Sequence, residues 1–227
     1  MTTATVEMPA SVRCLDRDKH DRPIPWFVHR AEDGTPDFRV IRRNGREDAL
    51  RFARCWVCGQ PRGRHAAFVV GPMCGVNRVS AEPPSHLHCA IYSALACPFL
   101  SRPDMTRRPR GLPELNDSTP GHAIERNPGV ALVWSSRTWK LFDAWDGSGT
   151  LIDLGEPSAV RWYARGREAT RGEVLASVES GMPILGQACL KDSDPPASQA
   201  YLDRQLDTFM GLVPIEPVGT TAKEVAM

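Results

Sequence analysis

The sequence predicts an α+β fold, and three observations lead to that prediction. Short apolar runs separated by turn residues lie between residues 130 and 163, as in an antiparallel sheet. A stripe of apolar residues with helical spacing covers residues 87–95. Two further helical patterns follow towards the C-terminus, each preceded by an N-capping signal. With 227 residues, of which 41% are hydrophobic, the chain is long and apolar enough to bury a sizeable core.

Composition divides the chain into five segments. Residues 1–22 are expected to be a flexible N-terminus without regular structure, because they carry mixed charge and few apolar side chains. Residues 23–100 are expected to hold a hairpin and a central module, and residues 101–128, with five Pro and no periodicity, a Pro- and Arg-rich connector. An antiparallel sheet with two or three helices is predicted for residues 129–213, followed by a flexible tail at 214–227.

The elements of the N-terminal part follow from its turn residues. Pro25–Val28 and Phe38–Ile41 are strand-like runs, and the turn residues Asp33–Pro36 between them predict a hairpin. A short helix is predicted from Glu47 to about Arg54, and a strand at His65–Val70.

A helix is predicted from His86 to about Ala96. The two prolines of Glu82–Ser85 stop the extended chain before it and present Ser85 as its N-cap, while Pro98 is expected to end it. The preceding Gly71–Gly75 is expected to be a turn. The apolar stripe of the helix consists of Leu87, Ala90, Ile91, Ala94 and Leu95.

The C-terminal half predicts a meander followed by two helices. The four expected strands are Val130–Trp134, Thr138–Phe142, Thr150–Leu154 and Val160–Tyr163. Thr170 and Glu173 form a capping-box pattern for a helix that is expected to end at Gly181. Asp194 precedes a last helix. Its apolar face consists of Leu202, Leu206, Phe209 and Met210.

The spacing of cysteine and histidine in the central module predicts a metal site. In Cys55-Trp56-Val57-Cys58-Gly59 the glycine permits the tight turn that aims both thiols at one point. His86 and Cys89 are three residues apart at the start of the predicted helix, so their side chains share one face. The sequence therefore predicts a zinc ion bound by Cys55, Cys58, His86 and Cys89.

Other assignments of the cysteines stay open. Cys74 can replace His86 as a ligand and complete a four-cysteine site. Cys97 lies eight residues after Cys89, about 12 Å along an unbroken helix, which is too far for one zinc ion to bind both. The thiols can also be ordinary buried apolar groups. An iron–sulfur cluster is a weaker alternative because the spacing fits no known pattern of such clusters.

Residues 55–97 resemble a treble-clef zinc finger, in which a knuckle and a hairpin precede helix-borne ligands. The resemblance implies a central module that zinc stabilises. The chain departs from the usual pattern in its second ligand pair, which is H-x-x-C, and in the additional Cys74. Through C-W-V-C-G, G-P-M-C, E-P-P-S-H and C-P-F-L, the whole chain also resembles bacterial and bacteriophage proteins of uncharacterised activity, which implies no activity for this one.

Charge is distributed unevenly although the net charge is only +1. Residues 51–112 carry 9 basic side chains, all Arg, against 2 acidic ones, whereas residues 113–227 carry 10 basic against 16 acidic. The basic centre suits nucleic acid or an acidic protein surface, unless the two halves neutralise each other internally. The candidate contact residues are Arg62, Arg64, Arg78, Arg107, Arg108 and Trp56, of which Trp56 is expected to be exposed.

These features favour a non-catalytic zinc-containing binding or regulatory protein, because the chain contains no known catalytic motif. One alternative is a zinc-dependent enzyme with an open metal position, in which His86 or Glu82 acts as acid–base; the simpler role for Glu82 is an ion pair with an arginine such as Arg78. Another is a structural or interaction protein of a phage particle or complex. No long apolar run, no secretory signal and metal-type cysteine spacing predict a cytoplasmic protein without membrane contact.

Overall fold

The chain folds into short strands and helices that are numbered here in chain order. The computed structural model describes residues 6–102, 127–144 and 147–215. From the N-terminus the elements are α1 (Ala10–Arg13), β1 (Val28–Arg30), β2 (Pro36–Ile41), α2 (Gly45–Arg51), β3 (Ala66–Val70), α3 (Pro72–Asn77), β4 (Val79–Ser80), α4 (Leu87–Ala96), α5 (Pro98–Ser101), β5 (Ala131–Ser136), β6 (Lys140–Asp143), β7 (Thr150–Asp153), β8 (Pro157–Ala164), β9 (Arg167–Glu168), α6 (Arg171–Cys189) and α7 (Pro195–Met210). Helices combined with antiparallel sheets confirm the predicted α+β class.

A four-stranded antiparallel sheet with the order β3-β5-β8-β9 forms the centre of the fold. Alternate side chains of its strands point to opposite faces. On one face Phe68, Trp134 and Trp162 pack with residues of α3, α6 and α7. On the other face Ala67 and Val133 pack against Ala90 and Ala94 of α4. The sheet is thus covered by helices on both sides, and strand β3 joins residues 23–100 to the sheet of residues 129–213.

A second sheet has the order β4-β7-β6 and contradicts the predicted meander. Strands β6 and β7 form a hairpin, as expected from the turn residues between them. This hairpin leaves the central sheet and pairs with β4, whereas β5 pairs with β3 and β8. Turn residues specify which neighbours in sequence form a hairpin but not which sheet the hairpin joins.

The N-terminal part contains the predicted hairpin, with β1 and β2 antiparallel, and the predicted short helix α2, which begins two residues earlier than expected. The expectation of no regular structure at the N-terminus is wrong for residues 10–13, which form α1. Val12 in this helix is only 1% exposed, because it packs against the thiols of the central module. Met8 and Leu15 pack against the same cluster, so three apolar side chains hold this short segment in place.

Two segments are more helical than the sequence predicts. Most of Gly71–Gly75 is not a turn but the first part of α3. Pro72 fits the first helical position because no backbone N–H is needed there. Helix α6 does not end at Gly181 but continues past Pro183 to Cys189. Gly181 is buried against Met73 of α3, and a Cβ atom there would lie 2.6 Å from the Met73 sulfur. Its small size therefore serves the crossing of two helices rather than a helix end.

The remaining helices largely follow their sequence signals. The capping box of Thr170 and Glu173 begins α6, and the Asp194 side chain accepts a hydrogen bond at the start of α7. The buried face of α7 contains Leu202 and Phe209, as predicted. Most of the connector, and the tail beyond residue 215, lie outside the described residues.

Helix α4 covers the predicted residues with two corrections. Its N-cap is His86 rather than Ser85. Leu87, placed in the buried stripe from its spacing, is 38% exposed. The helix meets the sheet through the small side chains of Ala90 and Ala94, so its first turn is left to face the turn at residues 55–59 and solvent.

Candidate metal centre

Four ligand atoms converge where the turn at residues 55–59 meets the start of α4. They are the Sγ atoms of Cys55, Cys58 and Cys89 and a ring nitrogen of His86, all within 4.8 Å of one another. His86 Nδ1 lies 3.4 Å from Cys58 Sγ and 3.8 Å from Cys89 Sγ. Ligands bound tetrahedrally to zinc at about 2.3 Å for sulfur and about 2.0 Å for nitrogen are roughly 3.5–3.8 Å apart. The two distances from His86 Nδ1 therefore suit tetrahedral coordination of a metal ion by this cluster.

The turn that carries the first ligand pair is held by its own backbone. The Gly59 N–H donates to the Cys55 carbonyl at 2.8 Å, and the Cys55 N–H donates to the Gln60 carbonyl at 2.8 Å. Gly59 has a φ of +70°, a conformation that residues with a Cβ rarely adopt. A Cβ atom at Gly59 would also lie 2.4 Å from Cδ1 of Trp26. Glycine is therefore required at this position both by the backbone and by the packed indole.

The second ligand pair reaches the turn because the chain before α4 pairs with β3. Ser85 and Ala67 exchange two backbone hydrogen bonds, of 2.7 and 3.0 Å. The Pro84 carbonyl accepts a hydrogen bond from the Trp56 N–H at 3.2 Å. These contacts place His86 directly over the turn, where its N–H donates to Cys55 Sγ at 3.4 Å.

The orientation of the His86 ring suits metal binding. Its Nε2 lies 3.0 Å from the Pro61 carbonyl oxygen, which can only accept a hydrogen bond. In the neutral ring the hydrogen is therefore on Nε2, and Nδ1, which faces the thiols, carries the free lone pair. A backbone carbonyl that selects the tautomer of a histidine ligand in this way is common around metal sites.

The three thiols cannot all ionise without a cation between them. Hydrogen bonds from Cys58 and Cys89 stabilise a thiolate at Cys55 and lower the pKa of Cys55. Cys58 and Cys89 donate these hydrogen bonds, which raises the pKa of both thiols, and the Cys55 thiolate would in addition repel a second anion beside it. A dication at the centre removes this repulsion and allows all three sulfurs to bind as thiolates.

Helix α1 contributes a contact that the sequence did not predict. Ser11 Oγ lies 3.4 Å from Cys89 Sγ and 3.2 Å from His88 Nε2. The His88 ring is stacked on His86, with the centroids 5.1 Å apart, so this exposed histidine borders the cluster. Ser11 lies 78 positions before Cys89, and nothing in its local pattern indicates this role.

The other candidate site residues lie apart from the cluster. Cys74 is on α3, on the opposite face of the central sheet from α4, and Cys97 is at the far end of α4. Glu82 does not belong to the cluster of four candidate ligands. Arg78 pairs with Glu156 rather than with Glu82.

Apart from Arg78, the candidate contact residues divide into three groups. Arg62 and Arg64 lie next to the metal-binding turn, and Arg64 is exposed. The expectation that Trp56 is exposed is wrong: it is 4% exposed, and its ring stacks on Phe27 with the centroids 4.7 Å apart. Arg107 and Arg108 fall outside the described residues.

Two further findings concern the protein beyond this centre. Among the helices of the described ranges, none is both long and apolar enough to span a membrane. No family model matches the chain, and no curated protein or solved structure is significantly similar to it.

Proposed function

We propose that this chain is a non-catalytic, zinc-containing binding protein whose metal centre stabilises the fold. The observation that carries the proposal is the closed set of four protein ligands. Cys55, Cys58 and Cys89 are 0%, 4% and 0% exposed, and the His86 ring is held from behind by the Pro61 carbonyl. Structural zinc sites are closed by four protein ligands, whereas catalytic sites keep one position for water or substrate.

The donor set favours zinc over other metals. Three thiolates and one imidazole are soft to intermediate ligands, and a tetrahedral arrangement of sulfur and nitrogen is typical of zinc. Magnesium and calcium prefer oxygen ligands, and the cluster offers none. As in treble-clef fingers, one ligand pair lies on a turn and the other at a helix start. Here, however, the strands between them, β3 and β4, pair with β5 and β7 rather than with each other.

The geometry gives little support to the alternative of a zinc-dependent enzyme. His86 faces the thiols with one ring nitrogen and contacts Pro61 with the other, so neither nitrogen is available as a general base. Glu82, the other candidate base, is not part of the cluster. The binding function rests instead on the arginine-rich centre, which suits nucleic acid or an acidic protein surface.

Metal content per chain tests the proposal. Protein purified without a metal-binding tag is analysed by elemental mass spectrometry, together with Cys55→Ser and with Cys74→Ser as the matched control. We expect one zinc per chain in the unchanged protein and in Cys74→Ser, and loss of zinc together with a lower melting temperature in Cys55→Ser. Absence of metal from the unchanged protein, or zinc retained in full by Cys55→Ser, would contradict the proposal.

A further inference from the structure

An arginine-rich surface surrounds the metal-binding turn, and we call it the knuckle surface. Its members come from the end of α2, the turn itself and the adjoining ends of β3 and β5. They are Arg51, Phe52, Arg54, Arg62, Arg64, His65 and Arg137. All of them except the half-buried Arg62 are exposed.

Backbone contacts join the first half of the knuckle surface to the metal-binding turn. The Arg62 N–H donates to the Ala53 carbonyl at 2.7 Å, and Arg54 forms an antiparallel bridge with Pro61. The Arg54 guanidinium donates to the Gly59 carbonyl at 3.0 Å. The side chain of Arg54 is therefore positioned by the same turn that carries Cys55 and Cys58.

The second half of the knuckle surface lies at the ends of two paired strands. His65 precedes β3 and Arg137 follows β5, and the Arg137 guanidinium donates to His65 Nδ1 at 3.3 Å. Arg62 lies over the ring of Trp139, 5.3 Å from its centroid. These contacts connect residues that are more than 70 positions apart in the sequence into one surface.

Unlike many arginines elsewhere in the chain, those of the knuckle surface form no ion pair with any acidic residue that the structure describes. In the described ranges, the ion pairs of arginine use a different set of residues: Arg17, Arg22, Arg30, Arg39, Arg42, Arg78, Arg165 and Arg167. Within the described part of the chain, the positive charge around the turn is thus not paired with acidic side chains. Such a concentration of arginine attracts phosphate groups, which guanidinium groups bind with two parallel hydrogen bonds.

An exposed aromatic ring precedes Arg54 by two residues at the end of α2. Phe52 is 54% exposed, and the Arg51 guanidinium lies 5.3 Å from its centroid. Aromatic rings flanked by cationic side chains are the combination that binds single-stranded nucleic acid, because bases stack on the ring while the cations contact phosphates. Bases in a duplex are already stacked on each other, so a single strand, whose bases are free to stack on Phe52, suits this surface better.

We propose that the knuckle surface binds single-stranded nucleic acid, with Phe52 as the stacking residue and Arg54, Arg64 and Arg137 as phosphate contacts. This inference rests on the proposed function, of which it names the partner. The metal centre would then have a second effect, because the turn that it stabilises also positions Arg54.

Fluorescence anisotropy with labelled oligothymidylate and oligouridylate of about 16 nucleotides tests the inference. The protein is compared with Phe52→Ala, Arg64→Ala and, as a matched control, Arg204→Ala, an exposed arginine of α7. Phe52→Ala is expected to weaken binding roughly tenfold. Arg64→Ala should weaken binding and reduce the slope of log K against log salt by about 0.7, the value for one phosphate contact on a single strand. Arg204→Ala should bind as the unchanged protein does.

Zinc content and melting temperature of each variant show whether the fold is retained. If Phe52→Ala and Arg64→Ala bind oligonucleotides like the unchanged protein, the proposed position of the site is wrong. If a duplex binds as tightly as a single strand, the proposed preference for single strands is wrong. Binding of polyglutamate but not of oligonucleotides would overturn the inference and leave the proposed function intact. If one zinc per chain is present and neither polyanion binds, the inference fails together with the partner part of the proposed function.

Discussion

At the scale of single residues, the metal-binding turn shows how much a short motif specifies. Cys55, Cys58 and Gly59 have roles that follow from their spacing, because thiols on a tight turn converge and only glycine readily adopts the φ of +70° found there. Trp56, within the same motif, is buried by contacts with Phe27 and Trp26, which lie outside it. Local spacing thus predicts the ligands, whereas exposure depends on distant neighbours.

Gly59 provides a residue-scale prediction. In Gly59→Ala, alanine must adopt an unfavourable positive φ. Its Cβ atom would lie 2.4 Å from the Trp26 ring, so the turn is expected to distort. The left-handed conformation alone costs about 1–2 kcal/mol. We expect the free energy of unfolding, measured with urea in the presence of zinc, to fall by at least that amount.

The control for this experiment is Gly63→Ala. Gly63 lies in the same loop but has no positive φ, and a Cβ there would meet no atom within 4 Å. Its free energy of unfolding should change by less than about 0.5 kcal/mol. Equal effects of the two substitutions would show that the close fit of Gly59 under Trp26 does not contribute to stability.

At the scale of elements, glycines allow close contacts on the face of the central sheet that α3, α6 and α7 cover. A Cβ at Gly75 of α3 would lie 2.5 Å from the Phe209 ring of α7 and 2.7 Å from Cδ2 of Leu132 in β5. Sequence patterns mark such glycines as turn or end signals, and that reading is wrong for α3. The close approach of three elements, rather than a special backbone angle, explains the glycine.

Gly75→Ala is expected to destabilise the protein because the added methyl group overfills a packed contact between α3, α7 and β5. The expected loss in the free energy of unfolding is about 1–3 kcal/mol, measured by chemical denaturation. Gly172→Ala is the matched control, because Gly172 lies in the first turn of α6 and a Cβ there meets nothing within 4 Å. That substitution should leave stability unchanged or raise it by up to about 1 kcal/mol. A loss of stability in the control equal to that of Gly75→Ala would contradict the packing argument.

At the scale of the whole molecule, the cluster of Cys55, Cys58, His86 and Cys89 joins segments that lie far apart in the sequence. The small apolar group around it consists of Val12 of α1, Val57 of the turn and the three cysteines themselves, with Met8, Leu15 and Tyr92 partly buried against it. The central sheet has a much larger core of its own, with Trp134 and Leu132 fully buried. The cluster therefore has few apolar contacts to hold it together if the metal is removed.

Removal of zinc with a chelator is expected to loosen one side of the molecule. Hydrogen exchange followed by mass spectrometry should show faster exchange in residues 10–15, 55–60 and 86–92. Exchange in β5 should change little, because its backbone pairs on both sides within the central sheet. Exchange that accelerates equally over the whole chain would contradict a separate metal-dependent unit, and unchanged exchange would contradict a structural role for the metal.

The sequence by itself determined the features that depend on interactions within a few residues. These include the candidate ligand pairs on the turn and at the helix start, the capping box of α6, the buried face of α7 and the hairpin of β1 and β2. Only the tertiary structure decided how these pieces combine: that β5 lies between β3 and β8, that β6 and β7 join β4, and that α1 packs against Cys89. Hydrogen bonds between strands and the packing of α1 join residues far apart along the chain, so no local pattern records them.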